Sequence, residues 1–341
     1  MTPPGEAIPS ARPGWRAIWR ARPARVSASL WAVVILLDRL PWPWGEGILA
    51  RIYLLKAIFR GTRLRRALRW AGAQTESPIA RWRLAVKLCS YYGRFVARLL
   101  LVGFRGPDHF GSQVVVNGEE HLAAARGHGV ILLGFHLGPP GAALALRATG
   151  HELTWARGWG DSQSGSGEGW RRFHQEGEML SLSQSSTSLG GVLYEARRVL
   201  LDGGVIYITA DGGRGRRAFK ISAPGAPMII RSGWLALCRH TKATVLPVLT
   251  HLDGNRQVVT IHPPLPPIDG DPARAVERCR AALGQVIAPY LREHPEQCYS
   301  LVFGRREKKK RSKDKRRPPS ARPRPGTPAE RALEPPPDRS P

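Results

Sequence analysis

Residues 129–136 read Gly129-Val130-Ile131-Leu132-Leu133-Gly134-Phe135-His136. An unbroken apolar run of this length suits a strand buried on both faces, because a half-exposed strand would alternate apolar with polar residues. Pro139 and Pro140 follow closely. Proline fits the first turn of a helix, so a helix is expected over Pro140 to Ala148. The pattern recurs downstream. A helix over Leu189 to Leu201 is stopped by Asp202-Gly203-Gly204, and a second buried strand, Val205-Ile206-Tyr207-Ile208-Thr209, runs into Ala210-Asp211. Working outward, Val114-Val115-Val116 is a short strand before an Asn117-Gly118 turn, and Glu119 to Arg126 is a helix. His151 to Ala156 reads as a strand, Gly158 to Gly169 as a flexible loop and Met228 to His240 as a helix. Thr244 to Thr250 and Gln257 to His262 are strands, and Asp271 to Glu293 is a long last helix. Strands alternating with helices give the fold class: α/β, a layered, mixed and mostly parallel sheet flanked by helices.

The period differs before residue 106. Ile48, Tyr53, Leu54, Leu55, Ile58 and Phe59 recur at helical spacing with basic residues between them, and Trp82 to Val102 repeats the pattern. No stretch reaches the roughly 18–20 continuous apolar residues of a transmembrane helix. The nearest, Leu30 to Leu37, stops at Asp38-Arg39, with no small-residue cleavage site after it. Trp15, Trp19, Trp31, Trp42 and Trp44 crowd this region. Tryptophan favours the headgroup layer, so the expectation is an interfacial helix that lies on or dips into one leaflet, a peripheral or monotopic attachment or a single N-terminal anchor. Four segments result: a disordered basic N-terminus over 1–26, a helical membrane-associating region over 27–105, an α/β domain over 106–300 and a disordered, Pro-rich basic tail over 301–341.

Composition narrows the partners. The chain of 341 residues has 52 Lys+Arg against 26 Asp+Glu, a formal net charge of +26. Such a field favours an anionic partner. From Arg51 to Arg105 there are thirteen Lys/Arg and one acid, Glu76; from Arg305 to Pro341 there are fourteen against five acids. No RNP-type aromatic pattern and no zinc spacing accompany the charge, so a specific nucleic-acid site is not expected. The four cysteines, Cys89, Cys238, Cys279 and Cys298, contain no CxxC pair, which argues against a metal site and for reduced thiols.

Two residues stand where α/β sheets keep their chemistry. His136 and Asp211 each end a buried strand, so both are expected at the carboxyl edge of the sheet. Histidine is the usual general base near neutral pH. Arg157 follows the strand ending at Ala156. Arg171 and Arg172 lie just past the flexible loop, and Arg214, Arg216 and Arg217 share a glycine-rich loop after Asp211. Guanidinium forks in flexible backbone suit phosphate or carboxylate.

The order of these motifs carries a resemblance. Gly129 to His136 is preceded by Val116-Asn117-Gly118-Glu119-Glu120-His121-Leu122 and Arg39-Leu40-Pro41. It is followed by Leu153-Thr154-Trp155-Ala156-Arg157, by Leu200-Leu201-Asp202-Gly203-Gly204-Val205 with Ala210-Asp211, by Lys242-Ala243-Thr244-Val245-Leu246-Pro247-Val248 and by Ile261-His262-Pro263-Pro264-Leu265. Over roughly residues 30 to 300 this resembles the lysophospholipid acyltransferase superfamily, in its bacterial lipid A late (lauroyl/myristoyl) acyltransferase-like branch. The resemblance implies a glycerolipid acyltransferase-like fold at the cytoplasmic face of the bacterial inner membrane. It implies O-acyl transfer from a thioester on acyl carrier protein or coenzyme A to a lipid or glycolipid hydroxyl. No cofactor or metal is implied; the thioester is a co-substrate. Acyl carrier protein and anionic membrane lipids are the implied partners.

The family pattern is a histidine with an acid five residues on. His136 matches the histidine, but the fifth residue on is Gly141. Asp211 is the first choice for the missing carboxylate, with Glu152 or Asp161 behind it. A histidine acting alone and a non-catalytic lipid-binding protein are the other readings. Arg157 and Arg217, with Arg171, Arg172 and Arg214, would hold a substrate phosphate.

Overall fold

Five successive apolar residues can sit in a strand only if both faces are covered, and Val130–Gly134 (β2) is buried along its whole length. Its side chains divide between two layers. Ile131 and Leu133 join one core cluster, while Val130 and Leu132 join another on the opposite face. The structure, a computed structural model, describes residues 28–105, 108–139, 141–156, 189–212, 217–224 and 227–303.

Before β2 come helices α1 (Ala28–Arg39), α2 (Trp42–Arg60), α3 (Thr62–Gly72) and α4 (Pro78–Arg105). They are followed by strand β1 (Val114–Asn117) and helix α5 (Glu119–Ala124). After β2 come α6 (Ala142–Ala148), β3 (Thr154–Ala156), α7 (Leu189–Leu201), β4 (Val205–Thr209), β5 (Ala218–Ile221) and β6 (Met228–Arg231). The order ends with α8 (Gly233–Thr241), β7 (Thr244–Asp253), β8 (Arg256–Ile261), α9 (Pro272–Glu293) and the short α10 (Tyr299–Phe303).

The main sheet has the order β1-β8-β7-β2-β4-β3. The strands β7, β2, β4 and β3 are mutually parallel, β8 runs antiparallel to β7, and β1 is parallel to β8. This is the mixed, mostly parallel α/β sheet expected from the sequence. One element differs in kind. Met228 to Arg231 is not the start of a helix but a strand paired antiparallel with Ala218–Ile221, and the helix begins only at Gly233. Met228 and Ile230 are buried while Ile229 is 39% exposed, a period of two. Three adjacent apolar residues are compatible with either period, so the sequence could not separate them. Smaller differences lie at boundaries. The helix after His136 starts at Ala142 rather than Pro140, and β7 continues three residues past Thr250 into a hairpin with β8. The glycine loop over 158–169, the N-terminus over 1–26 and the tail from 304 onward lie outside the described residues.

The helical region is fastened to the sheet by a buried ionic knot. Glu46 of α2 meets Arg98 Nε at 2.6 Å and Arg94 Nε at 3.0 Å, both on α4. Arg94 also donates to the carbonyl of Gly254 at 2.5 Å and Arg98 to that of Asn255, both in the β7–β8 turn. Arg98 and Glu46 are almost wholly removed from solvent, and burial lowers the Arg98 guanidinium to about 10 against the opposing pull of Glu46.

Candidate active site

Strand register places the two candidate residues side by side. Gly134, the last residue of β2, is paired with Thr209, the last of β4. The ladder continues one step as Ala210 N donates to Gly134 O at 2.9 Å. His136 and Asp211 therefore leave adjacent parallel strands two residues past the same rung. The His136 amide donates to both Asp211 oxygens, at 3.0 and 2.9 Å. The ring Nδ1 lies 2.8 Å from Asp211 Oδ1. An ionised carboxylate only accepts, so Nδ1 carries the proton and Nε2 is left as the basic nitrogen. The Asp211 side chain is 7% exposed and that of His136 is 45% exposed, so the carboxylate is sheltered while the ring is accessible.

Both loops are held from behind. Gly138 has φ +73, a conformation glycine adopts at no steric cost, and a Cβ there would meet Thr250 O at 1.7 Å. Thr250 Oγ1 lies 3.2 Å from Leu137 O and 3.0 Å from Pro139 O and shares its proton between them. Tyr290 donates to Thr250 O at 2.7 Å. Gly138 N donates to the carbonyl of Gln297 at 3.1 Å, while the Gln297 amide group pairs with both backbone groups of Leu252. On the other loop, Arg231 donates to Gly212 O at 3.0 Å, bracing the turn that carries Asp211. The Tyr207 hydroxyl occupies the space over Gly134, where a Cβ would meet it at 1.9 Å. Burial, with the Asp211 charge adding to it, pushes the Tyr207 phenol far up, so it stays protonated.

None of Thr250, Tyr290, Gln297, Tyr207 or Arg231 was singled out from sequence. Thr250 offered a signal, a hydroxyl at the end of an otherwise apolar strand. Arg231 was hidden by the helix reading of its segment.

The other candidates separate clearly. Gly141, five residues after His136, has φ +89 and forms the N-terminal boundary of α6. The backbone itself disfavours any side chain there. Glu152 is exposed and precedes β3, at the amino end of a strand parallel to β4, so it lies away from the edge where Asp211 emerges. Arg217 is exposed at the start of β5. Arg157, Asp161, Arg171, Arg172 and Arg214 lie outside the described residues.

Nucleophilic sulfur is not favoured. The four cysteines are free and buried, and burial pushes Cys89 up to about 11 and Cys238 up to about 12. Such thiols stay protonated and inert near neutral pH. Among the described residues no three His, Cys, Asp or Glu side chains converge as a metal site.

A search of curated protein sequences finds no match. Among solved structures, the chain is similar to the crystal structure of the 1-acyl-sn-glycerophosphate (LPA) acyltransferase PlsC from Thermotoga maritima. The two are 17% identical, over 73% of this chain and 97% of that one, with a TM-score of 0.35. A family model described as bacterial lipid A biosynthesis acyltransferase matches residues 30–305. That match takes in the helical region and every strand of the sheet, and by it the chain belongs to the bacterial lipid A biosynthesis acyltransferase family.

Proposed function

We propose that this lipid acyltransferase moves a fatty acyl group from a thioester, on acyl carrier protein or coenzyme A, to a hydroxyl of a lipid or glycolipid. His136 is the general base and Asp211 the carboxylate that orients it. The observation carrying this reading is the 2.8 Å contact between His136 Nδ1 and Asp211 Oδ1, which leaves Nε2 basic. Nε2 removes the proton from the acceptor hydroxyl as its oxygen attacks the thioester carbonyl. The tetrahedral intermediate collapses, the C–S bond breaks, and the departing thiolate takes the proton back from Nε2. Asp211 offsets the positive charge the ring carries between those two transfers.

Arg157, Arg171, Arg172, Arg214 and Arg217 would hold a phosphate of the acceptor lipid or of the donor's pantetheine arm. The proposed location is the cytoplasmic face of the bacterial inner membrane, with the N-terminal helices on the surface. The described helices include none long and apolar enough to cross a membrane. In support of surface attachment, Trp44, Ile52, Leu55, Ile58, Phe59, Ile79 and Trp82 are all exposed.

Gly141 favours a second reading, a lipid-binding protein without activity. One experiment separates the two. Purified protein in detergent receives acyl carrier protein or coenzyme A thioesters and a bacterial lipid extract, and products are read by mass spectrometry beside a His136→Ala control. A new acylated lipid formed by the wild type and absent from the control is the expected result. Equal product from both proteins sinks His136 as the base. Lipid bound by both and acylated by neither establishes the second reading.

A further inference from the structure

An aromatic strip joins α2 and α4 to α10. Tyr53 of α2 meets Tyr92 of α4 edge-on, with ring centroids 5.2 Å apart. Tyr92 in turn meets Tyr299 of α10 at 5.4 Å. Tyr299 feels the Asp211 charge, although burial is the main cause that pushes its phenol up to about 12. Two cations stand against the strip. The Arg63 guanidinium lies 4.9 Å from the Tyr92 ring centroid, and Lys56 Nζ lies 5.7 Å from that of Tyr53.

Arg63 is only partly exposed, and its Nη1 is buried with no hydrogen-bond acceptor among the described residues. A buried charged donor without an acceptor is strongly unfavourable, and a ring face relieves only part of that penalty. Acids are sparse along the helices that flank Arg63. Between Arg51 and Arg105 the one acid is Glu76, and Glu46 is already held by Arg94 and Arg98.

We propose that Arg63, over the Tyr92 ring and with Lys56 over the adjoining Tyr53 ring, is a subsite for the phosphate ester of one of the two substrates. This rests on the acyl-transfer reading above, because both substrate classes carry such a group: a phospholipid in its headgroup, the donor in its phosphopantetheine arm. A guanidinium fork offers two parallel donors to phosphate oxygens, and Lys56 adds a point charge. The strip then runs from the held phosphate to Tyr299 of α10.

The test is equilibrium binding of the full chain in detergent, by titration calorimetry with two matched pairs of probes. Lysophosphatidic acid against monoacylglycerol reports a headgroup source; phosphopantetheine against pantetheine reports a donor source. Wild type is expected to prefer the phosphorylated member of one pair by about tenfold or more, the scale of one charge-assisted contact. Arg63→Ala is expected to lower that preference by about tenfold, the share of one charge-assisted contact, and Arg63→Lys to lower it less. Arg63→Gln, which retains most of the stem, gives the same reading if the alanine variant does not fold. No preference in wild type, or an unchanged preference in folded Arg63→Ala or Arg63→Gln, overturns the proposal. His136→Ala is titrated in parallel and is expected to keep the preference. A protein that discriminates phosphate yet transfers no acyl group would therefore defeat the acyl-transfer reading while leaving this subsite standing.

Discussion

Asp211 acts by accepting, and that makes asparagine the informative replacement. An amide at 211 can present its NH2 to Nδ1 and so stabilise the tautomer with the proton on Nε2, which cannot serve as base. Asp211→Asn is expected to lower kcat by up to about 10⁴-fold, the size of the loss when the orienting aspartate of a triad becomes asparagine. A smaller change in KM and a far-ultraviolet spectrum like wild type would place the effect in the chemistry. Restoring an acid at the family's position should not compensate. Gly141 sits at φ +89, and a side chain in left-handed backbone costs about 1–2 kcal/mol. Gly141→Asp in the Asp211→Asn background is therefore expected to melt earlier and to recover no activity; recovered acyl transfer would refute Asp211 as the sole orienting group. At this scale the sequence was half legible. His136 and Asp211 stood out because each ends an apolar run. Their contact depends on the Gly134–Thr209 register, which no local pattern encodes. Thr250, Tyr290 and Gln297 reach the His136 loop from distant parts of the chain, so nothing near residue 136 announces them.

Among elements, those with a long or unbroken pattern were readable. The helix α7 was delimited by Asp202-Gly203, and α9 by Asp271, whose side chain accepts from Arg274 N at 2.8 Å. The β6 strand of the β5–β6 hairpin was not readable, because Met228-Ile229-Ile230 fits either period and a true helix follows it closely. The Glu46 knot was equally invisible, since an acid in a basic helical stretch looks like an ordinary surface charge until the fold buries it. Glu46→Gln leaves Arg98 buried opposite a neutral group. Removing one partner of a buried pair is expected to destabilise by about 3 kcal/mol, read as a lowered midpoint in urea. An unchanged midpoint would show that the Gly254 and Asn255 carbonyls alone suffice for the two arginines. The same end of β7 carries a pH-sensitive contact. His251 stacks on His294 with ring centroids 4.1 Å apart. Burial first and His294 second lower the His251 pKa, against the opposite pull of Asp253 and Glu293. His262 is lowered too, by burial and then by His121. A histidine depressed below its unfolded value of 6.5 binds fewer protons folded than unfolded. Its neutral form contributes full stability above about pH 6.5, and that contribution drains as pH falls below it. Urea midpoints are expected to decline between pH 7 and 5, and His251→Phe to flatten the decline; a parallel curve for the variant would remove His251 from the account.

At the scale of the whole molecule, the proposed attachment to a bilayer would draw on two forces. The first is charge: a formal +26, with thirteen basic residues against one acid between Arg51 and Arg105. Near an anionic leaflet each such residue contributes about 1 kcal/mol, screened over about 10 Å at 0.1 M salt. The second is apolar contact. Ile52, Leu55 and Phe59 recur at helical spacing along α2, and Phe59 is 85% exposed. Fully burying one such side chain is worth about 1.5–3 kcal/mol and is not weakened by salt. Sedimentation with vesicles separates the two. Wild type is expected to bind anionic vesicles more tightly than zwitterionic ones at low salt. Raising salt should reduce that difference without abolishing binding, because the apolar term persists. Leu55→Ser with Phe59→Ser is expected to remove the salt-resistant part and leave the salt-sensitive part. Equal binding to both vesicle types would defeat the electrostatic half of the argument. A double variant that holds on at high salt like wild type would defeat the apolar half and move the contact surface away from α2.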